Sequence, residues 1–438
     1  MRFYDRKNEL VALERMKEQS LSESRMTVVM GRRRVGKTEL VRHCNDTTLL
    51  YFFVARKTEA LLCKDFAKEI EEKLGIPIGW PEKFADLFRL LLIHSEQHPF
   101  TLIIDEFQDF QKINPSIFRE MQRDWDIHKA TSRLNLIISG SIFSLMKRIF
   151  EDAGEPLFGR ANQTITIEAF PTDVLKEILH DHNPQYTPDD LLAMYTITGG
   201  VAWYVSLLMD GGKTTRRRML TYLTEQNSPF INEGRNILIE EFGPDYGVYF
   251  SILTCIANGQ MTRGEIENQI GTSNIGSYLS RLEQYHGVIE KKLPIFSEES
   301  SKKARYALRD NFLTLWFRFF FKYQSFVENN ALGQLAKIIE RDYETFSGLS
   351  LERYFEKKLR ESGEYTRIGK YWDRKGENEI DLIAVNEIDR TARIFEVKRD
   401  ASRYSEQRLQ AKVQHLLSNC KQLSDYKISL GVLSLQDL

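Results

Sequence analysis

A glycine- and lysine-containing motif near the N-terminus places the strongest constraint on this chain. Residues 31–38 read GRRRVGKT, a complete match to the pattern G-x-x-x-x-G-K-[ST]. The motif follows an apolar run, Thr27–Gly31, that predicts a strand, and it opens a stretch that predicts a helix. In this setting the glycines let backbone N–H groups surround phosphate oxygens, and the helix N-terminus adds the positive end of its dipole. The motif therefore predicts a phosphate-binding loop in an α/β domain.

The side chains of this loop indicate ATP and Mg²⁺ as cofactors. We expect the Lys37 ammonium group to reach the β- and γ-phosphates, and we count Lys37 among the predicted catalytic residues. We expect the Thr38 hydroxyl to coordinate Mg²⁺. The residues expected to contact the nucleotide from this segment are Gly31, Arg34, Val35, Gly36, Lys37, Thr38 and Glu39.

An acidic pair lies at the end of a second predicted strand, Phe100–Asp105. Asp105 is the last residue of this strand, and Glu106 follows it directly. Such a pair is often only a solvated strand end. Beside a phosphate-binding loop, however, two carboxylates can bind Mg²⁺ and activate a water molecule. Asp105 is expected to help hold Mg²⁺. Glu106 is expected to polarise an attacking water, which separates a hydrolase from a protein that only binds nucleotide.

Two further polar residues are candidates for the same site, each with a simpler alternative. Ser139 ends the predicted strand Leu134–Ser139, where it is expected to sense the γ-phosphate; the alternative is a small-residue turn between strand and helix. Arg160 lies in the loop sequence LFGR and is expected to neutralise transition-state charge, in its own chain or in a neighbouring subunit. The alternative for Arg160 is an ordinary surface charge.

Residues 1–170 alternate apolar runs with helix-length segments, the pattern of a parallel sheet in an α/β fold. The strand candidates are Thr27–Gly31, Leu49–Val54, Phe100–Asp105, Leu134–Ser139 and Thr164–Ile167. Residues 171–234 read as helices and are interpreted as a helical lid.

Residues 235–310 have the outline of a winged helix, namely three helices followed by a hairpin. In chain order the predicted elements are a helix Tyr249–Ala257, a capping box from Thr262 to Glu265, a third helix from Thr272 or Ser273 to about Tyr285, and paired strands Gly287–Lys292 and Arg305–Leu308. The third helix has few cations, so most affinity for DNA phosphates would come from the wing. The wing cations are Lys291, Lys292, Lys302, Lys303 and Arg305. The alternative is a module that docks a protein or another domain.

Residues 311–438 contain an Asp-bearing strand followed by a Glu-x-Lys strand. Alternation places Glu396 and Lys398 on one face of the second strand. Asp381 and Glu396 are expected to share Mg²⁺ at the ends of adjacent strands, and Lys398 to orient and activate a water for phosphodiester attack. This is the D…(D/E)-x-K arrangement of restriction-endonuclease-like folds. The alternative is an alternating sheet edge with solvated charges.

Several of these segments together resemble the archaeal-type ATPases, P-loop proteins of the AAA+/STAND group that also occur in bacteria. The matching segments are FYDRKNEL at 3–10, GRRRVGKT, IIDEFQ, SGS, LFGR and GLSLE at 348–352. The resemblance implies an AAA+-like parallel sheet with a helical lid, a winged helix and a nuclease-like C-terminal domain. It also implies that residues near Phe3 and Arg6 border the adenine, that Arg160 matches a recurrent arginine, and that Glu352 rather than Glu356 is a further metal ligand.

We therefore divide the chain into four predicted parts. They are an ATPase core at 1–170, a helical lid at 171–234, a winged-helix domain at 235–310, and a linker helix with a restriction-endonuclease-like domain at 311–438.

Composition limits the surroundings in which the chain works. Lys and Arg number 61 against 62 Asp and Glu, a net charge of −1, so any nucleic-acid surface must be local. The 4 cysteines have no metal or redox spacing, which fits a reducing compartment, and the N-terminus lacks a signal-peptide run. The most apolar stretch, Phe312–Phe321, is too short to span a bilayer. We expect a cytoplasmic protein without membrane contact.

Two functions are compatible with these features. The first is an Mg²⁺-dependent ATPase whose nucleotide state repositions a winged helix and a nuclease-like domain that act on DNA. The second is a nucleotide-dependent switch of the STAND type that docks protein partners and has an inert C-terminal domain. ATP is the expected ligand in both, and a homo-oligomer or a protein partner is compatible with either.

Overall fold

The computed structural model describes residues 1–44, 48–243, 246–301, 303–374 and 376–438, so Lys302 of the predicted wing lies outside the described residues. The chain forms two compact units: Asp5–Glu168, here called the P-loop unit, and Met1–Tyr4 with Ala169–Leu438, here called the C-terminal unit. The finer division into lid, winged helix and endonuclease-like domain stays a prediction. In the described ranges, no helix is both long and apolar enough for a bilayer crossing.

The P-loop unit is built on a five-stranded sheet with the order β2-β3-β4-β1-β5. Its strands are β1 (Arg25–Gly31), β2 (Leu49–Phe53), β3 (Phe100–Asp105), β4 (Leu134–Ser139) and β5 (Gln163–Ile167). All neighbouring strands pair in parallel, which confirms the predicted parallel α/β sheet. Because parallel strands end at the same edge, the C-terminal residues of β1, β3 and β4 all lie at one side of the sheet.

Seven α-helices in the described part of this unit accompany the sheet: α1 (Lys7–Ser20), α2 (Lys37–Arg42), α3 (Glu59–Leu74), α4 (Phe84–Ser95), α5 (Phe110–Ile113), α6 (Ile117–His128) and α7 (Phe143–Glu151). Helix α3 shows why they form, since Leu62, Phe66 and Ile70 recur at helical spacing and are all buried in the core of the unit. The Phe66 ring stacks on Phe52 of β2 with centroids 4.2 Å apart. The sheet is therefore held by apolar packing, and its strand ends are left for polar residues.

The C-terminal unit begins with helices, as predicted for residues 171–234. They are α8 (Thr172–His182), α9 (Pro188–Thr198), α10 (Ala202–Asp210), α11 (Arg216–Leu223) and α12 (Phe230–Phe242). Helix α9 starts at a capping box in which Thr187 and Asp190 exchange hydrogen bonds, with Pro188 at the first helical position.

Three helices and a hairpin follow in the predicted order: α13 (Gly247–Ala257), α14 (Arg263–Ile270), α15 (Gly276–Ser280), β6 (Ile289–Lys292) and β7 (Arg305–Leu308). The capping box between Thr262 and Glu265 is present. The third helix is shorter than predicted, because α15 begins only at Gly276 and passes into a π-helical turn, Arg281–Tyr285. The two hairpin strands pair antiparallel, as predicted.

The chain ends in a four-stranded sheet, order β11-β10-β9-β8, preceded by helices. The elements are α16 (Asn311–Leu315), α17 (Gln324–Glu328), α18 (Leu332–Glu361), β8 (Arg367–Trp372), β9 (Glu379–Asn386), β10 (Thr391–Val397), α19 (Glu406–Asn419) and β11 (Lys427–Leu433). Alternation along β10 sends Phe395 into the core that contains Leu351 of α18, and Ile394 into the core that contains Leu409 of α19. Helix α18 runs for 30 residues and carries Glu352 in its second half.

Candidate functional site

The loop between β1 and α2 has a backbone that depends on its residue types. Arg34 and Gly36 adopt positive φ angles of 70° and 99°, and α2 begins directly afterwards at Lys37. Glycine enters this left-handed region without steric cost. Gly31 is required for another reason, since a Cβ there would lie 2.5 Å from the carbonyl oxygen of Ile167. The predicted order of strand, loop and helix is therefore present.

Lys37 is buried with its ammonium group turned into this loop. Nζ donates to the carbonyl oxygens of Gly31 and Arg32, each at 2.9 Å. Burial lowers the pKa of Lys37 to about 8, and the nearby carboxylates of Glu106 and Asp105 offset only part of that effect. A phosphate oxygen can replace these carbonyl contacts while supplying the negative charge that a buried ammonium group lacks.

Asp105, at the end of β3, accepts hydrogen bonds on both carboxylate oxygens. Its Oδ2 accepts from Thr38 Oγ1 at 3.0 Å and from the Tyr51 hydroxyl at 2.6 Å, and its Oδ1 accepts from the backbone N–H of Glu106 at 3.0 Å. Burial and the Asp105 carboxylate raise the pKa of Tyr51, so its hydroxyl remains a donor. The structure thus brings Thr38 and Asp105, the two predicted Mg²⁺ ligands, into direct contact.

Glu106 follows Asp105 with a left-handed backbone, φ 57° and ψ 35°. Its Oε2 accepts from Ser141 Oγ at 2.6 Å and from Gln108 Nε2. Ser139, the predicted γ-phosphate sensor, is fully buried, and its Oγ has no hydrogen-bond partner among the described residues. The hydroxyl that reaches Glu106 is therefore that of Ser141.

Arg6 lies against the same loop from the start of α1. Its guanidinium is buried, and Nη2 donates to the carbonyl oxygens of Glu168 at 2.6 Å and Val35 at 3.3 Å. Val35 is buried and Glu39 is exposed. Arg6 thus touches the phosphate-binding loop through its backbone, whereas its predicted place beside the adenine stays a prediction.

Arg160 is paired within the P-loop unit. Its Nη2 lies 3.0 Å from Oδ2 of Asp126, and its Nη1 donates to the carbonyl oxygen of Phe158 at 2.8 Å. The side chain is about a quarter exposed. A role in neutralising transition-state charge would require this pair to open, and it stays a prediction.

In the C-terminal sheet, Lys398 joins the two carboxylates predicted to lie beside it. Its Nζ lies 3.4 Å from Asp381 Oδ2 and 3.5 Å from Glu396 Oε2. The backbone N–H of Val397 also donates to Asp381 Oδ2, at 2.9 Å. Although burial opposes it, Asp381 and Glu396 raise the pKa of Lys398. The three residues of the Asp…Glu-x-Lys pattern therefore lie together, and the role assigned to them stays a prediction.

The predicted metal set of Glu352, Asp381 and Glu396 is not assembled. Glu352 pairs instead with Lys370 of β8, and Glu396 Oε1 lies 2.6 Å from Nζ of Lys412 on α19. No three His, Cys, Asp or Glu side chains in the described ranges are placed to hold a metal ion. The physical reason is that lysine ammonium groups already neutralise each carboxylate.

The hairpin of β6 and β7 is bound to this sheet within the C-terminal unit. The backbone N–H of Ile295, in the loop after β6, donates to the carbonyl oxygen of Lys370 at 2.7 Å, and the Ile295 side chain belongs to the core of the sheet. The indole N–H of Trp372 donates to the carbonyl oxygen of Lys303 at 2.9 Å. The Arg305 guanidinium lies 4.7 Å from the Trp372 ring centroid.

The predicted wing cations are partly neutralised by the same packing. Arg305 lies 3.0 Å from Glu379, and Lys292 lies 2.9 Å from Glu290 and 3.6 Å from Glu356. The hairpin therefore connects the three-helix segment to the sheet, and the charges of Arg305 and Lys292 are compensated by carboxylates of its own unit.

Family models match two parts of the chain. Residues 3–208 match a family described as an ATPase domain predominantly from Archaea. Residues 3–208 are therefore an ATPase domain. It includes the entire P-loop unit and continues into the first helices of the C-terminal unit. Residues 316–410 match a family described as archaeal and bacterial proteins of unknown function.

Similar chains extend beyond the ATPase domain. An uncharacterized protein of Methanocaldococcus jannaschii is 29% identical over 406 residues, which are 90% of this chain and 87% of that protein. The Walker-type ATPase PABY2304 of Pyrococcus abyssi is 19% identical, with a TM-score of 0.53 over 72% of this chain and 96% of its own. The Pyrococcus abyssi ATPase therefore has a similar fold over the part of this chain that it covers. The ORC2 protein of Aeropyrum pernix is 15% identical, with a TM-score of 0.45 over 76% of this chain and 96% of its own.

Sequence reasoning missed three residues of the ATPase domain, namely Tyr51, Gln108 and Ser141. Gln108 and Ser141 lie inside the quoted runs IIDEFQ and SGS, so a signal for them existed. No sequence signal pointed to Tyr51, because a tyrosine in a predicted strand is explained by packing alone.

Proposed function

We propose that ATP hydrolysis by this domain depends on Mg²⁺ and that the nucleotide state sets the activity of the C-terminal unit on DNA. The observation that carries the first part is the 3.0 Å contact between Thr38 and Asp105, with Glu106 next in the chain. A hydroxyl and a carboxylate oxygen meet there, and Mg²⁺ in phosphate sites takes one or two such protein ligands. These residues therefore fit the ion.

Each residue of the site has its own role in the proposed hydrolysis. Lys37 holds the phosphates in place of its present carbonyl partners, and Glu106 orients the attacking water. Ser141, rather than Ser139, is the hydroxyl proposed to sense the γ-phosphate, because Ser141 reaches Glu106 and Ser139 is enclosed. Bound Mg²⁺ would neutralise charge on the phosphate oxygens. Arg160 would add to this after leaving Asp126.

The second part is supported by contacts inside the C-terminal unit. Residues 247–308 have the helix and hairpin order of a winged helix, and their hairpin is bound to the sheet that carries Asp381 and Lys398. We propose that the three-helix segment contacts DNA and that the carboxylates with Lys398 form a phosphodiester site. No metal-dependent step is assigned to that site, because its carboxylates are paired with lysines.

The test is ATP hydrolysis by the wild-type chain, Glu106→Gln and Lys37→Ala, with and without DNA, with Glu82→Gln as a matched control at an exposed position. Glu106→Gln should lose turnover while still binding ATP, and Lys37→Ala should lose binding. Glu82→Gln should behave as the wild type does. Full turnover by Glu106→Gln would contradict the proposed hydrolytic role, and equal rates with and without DNA would count against DNA as the partner.

The second candidate is a nucleotide-dependent switch with an inert C-terminal domain. It is favoured by one observation: Lys370, Lys398 and Lys412 neutralise all three carboxylates of the predicted metal set. Plasmid cleavage in Mg²⁺ or Mn²⁺ separates the two functions. Cutting that Asp381→Ala abolishes would support the first, whereas slow ATP turnover without cutting under any metal or nucleotide condition would support the switch.

A further inference from the structure

The Glu106 carboxylate is held at a single oxygen by two donors from different segments. Ser141 lies beyond the end of β4, and Gln108 lies two residues after Glu106 itself. Both donate to Oε2, which leaves Oε1 without a hydrogen-bond partner among the described residues. One side of the carboxylate is thus anchored, and the other is available to a water.

The backbone at Glu106 makes the Gln108 contact possible. Glu106 occupies the left-handed region, which is uncommon for a residue with a side chain and is found mainly where the surroundings require it. The chain enters a short 3₁₀ helix, Phe107–Asp109, immediately afterwards. This turn brings the amide of Gln108 back to the carboxylate that precedes it.

The surroundings of Gln108 restrict the amide to one orientation. The side chain is 1% exposed, and a Cβ placed on Gly140 would lie 2.3 Å from its Oε1. An ionised carboxylate only accepts hydrogen bonds, so the amide must turn its NH₂ group to Glu106 and its oxygen to Gly140. That oxygen is buried and has no hydrogen-bond partner in the described part of the chain. Burying an unsatisfied acceptor costs stability, which a residue with only a packing role would not require.

We propose that Gln108 is a positioning residue for ATP hydrolysis, which fixes the Glu106 carboxylate through its side-chain amide. The inference rests on the proposed role of Glu106 as the group that orients water. A serine hydroxyl can rotate to another acceptor such as a γ-phosphate oxygen, whereas the enclosed amide cannot. Gln108 therefore keeps the carboxylate in place when Ser141 exchanges its partner.

The experiment compares Gln108→Met with the wild type. Methionine has nearly the same length as glutamine and can occupy the same buried space, but it has no N–H group to donate to Glu106. Gln108→Glu, which places a second carboxylate against Glu106, and Gln111→Ala, a half-buried glutamine on the following helix, are measured beside it. We expect kcat to fall about tenfold or more in Gln108→Met, with KM and ATP affinity nearly unchanged. Gln108→Glu should fall further, and Gln111→Ala should match the wild type.

A double variant decides whether the effect passes through Glu106. In a Glu106→Gln background, Gln108→Met should cause little additional loss, since the carboxylate that it positions is gone. Equal losses in both backgrounds, a rise in KM at unchanged kcat, or a similar loss in Gln111→Ala would overturn the inference. Full turnover in Glu106→Gln alone would instead overturn the proposed function, so the two failures are distinguishable. Thermal unfolding of each variant checks that the domain remains folded.

Discussion

The guanidinium of Arg399 lies 2.7 Å from the carboxylate of Asp189, which ties the residue after Lys398 to the first turn of α9. The same carboxylate pairs with Arg216 of α11 at 2.9 Å and accepts from the Tyr343 hydroxyl at 3.3 Å. Both guanidinium groups also lie near the Tyr343 ring centroid, that of Arg399 at 5.3 Å and that of Arg216 at 5.5 Å. The helical segment and the residues that follow β10 are thus connected through one buried tyrosine.

Replacing Arg399 by Ala should weaken this connection. Both partners are less than a quarter exposed, and the change also removes the 2.6 Å hydrogen bond to Ser347 Oγ, so we expect a loss of about 1–3 kcal/mol. Hydrogen exchange along α9 and urea unfolding measure it. Arg403→Ala, at an exposed position four residues further on, serves as the control and should cost little. Wild-type exchange in Arg399→Ala would show that the pair contributes nothing.

ATP binding should weaken as the pH rises through about 8, the pKa to which burial lowers Lys37. Above that pH the Lys37 side chain is mostly a neutral amine, which must take up a proton before it can neutralise a phosphate, so affinity should fall by up to about tenfold per pH unit. Calorimetry in two buffers of different ionisation enthalpy should show proton uptake at pH values above 8 and little near neutrality. Lys37→Ala should show none at any pH.

The lowered pKa of Lys37 has the opposite effect on the stability of the nucleotide-free domain, which should rise with pH where ATP affinity falls. Between about 8 and the ordinary value of 10.5, the unfolded chain binds the Lys37 proton more tightly than the folded chain does. Stability attributable to this group should therefore increase with pH across that window. A contribution that falls as the pH rises from 8 to 10.5 would contradict the buried position of Lys37.

Trp372→Phe should loosen the hairpin without emptying its packing site. Phenylalanine keeps a ring for the Arg305 guanidinium but loses the indole N–H that donates to Lys303. We expect a loss of about 1 kcal/mol and faster cleavage by a lysine-specific protease after Lys303. Trp80→Phe is the matched control, since Trp80 is 75% exposed in the other unit. Equal cleavage rates for the two variants would mean that this hydrogen bond does not hold the hairpin.

The sequence predicted elements better than it predicted side-chain partners. The limits of β3 and β4 follow from apolar runs that end in a polar residue, and such runs are recognisable in the sequence. The lysine that neutralises Glu352 was not predictable, because Lys370 comes from another element and no local pattern joins the two. Ser139 illustrates the same limit, since spacing placed a hydroxyl near the site but could not tell that Ser141 is the residue that turns to Glu106.

Gly140→Ala should disturb the Glu106 carboxylate more than it disturbs the fold. The added Cβ would lie 2.3 Å from both the Gln108 amide oxygen and the Met146 sulfur, so these two side-chain ends must move. Overpacking of this kind costs about 1–3 kcal/mol. Because the Gln108 amide contacts Glu106, we also expect kcat to fall several-fold at nearly constant ATP affinity. Gly348→Ala, where nothing lies within 4 Å, should instead stabilise α18 by about 0.5–1 kcal/mol and leave turnover unchanged. If Gly140→Ala loses stability but retains its full kcat, the Gln108 amide does not govern the position of Glu106.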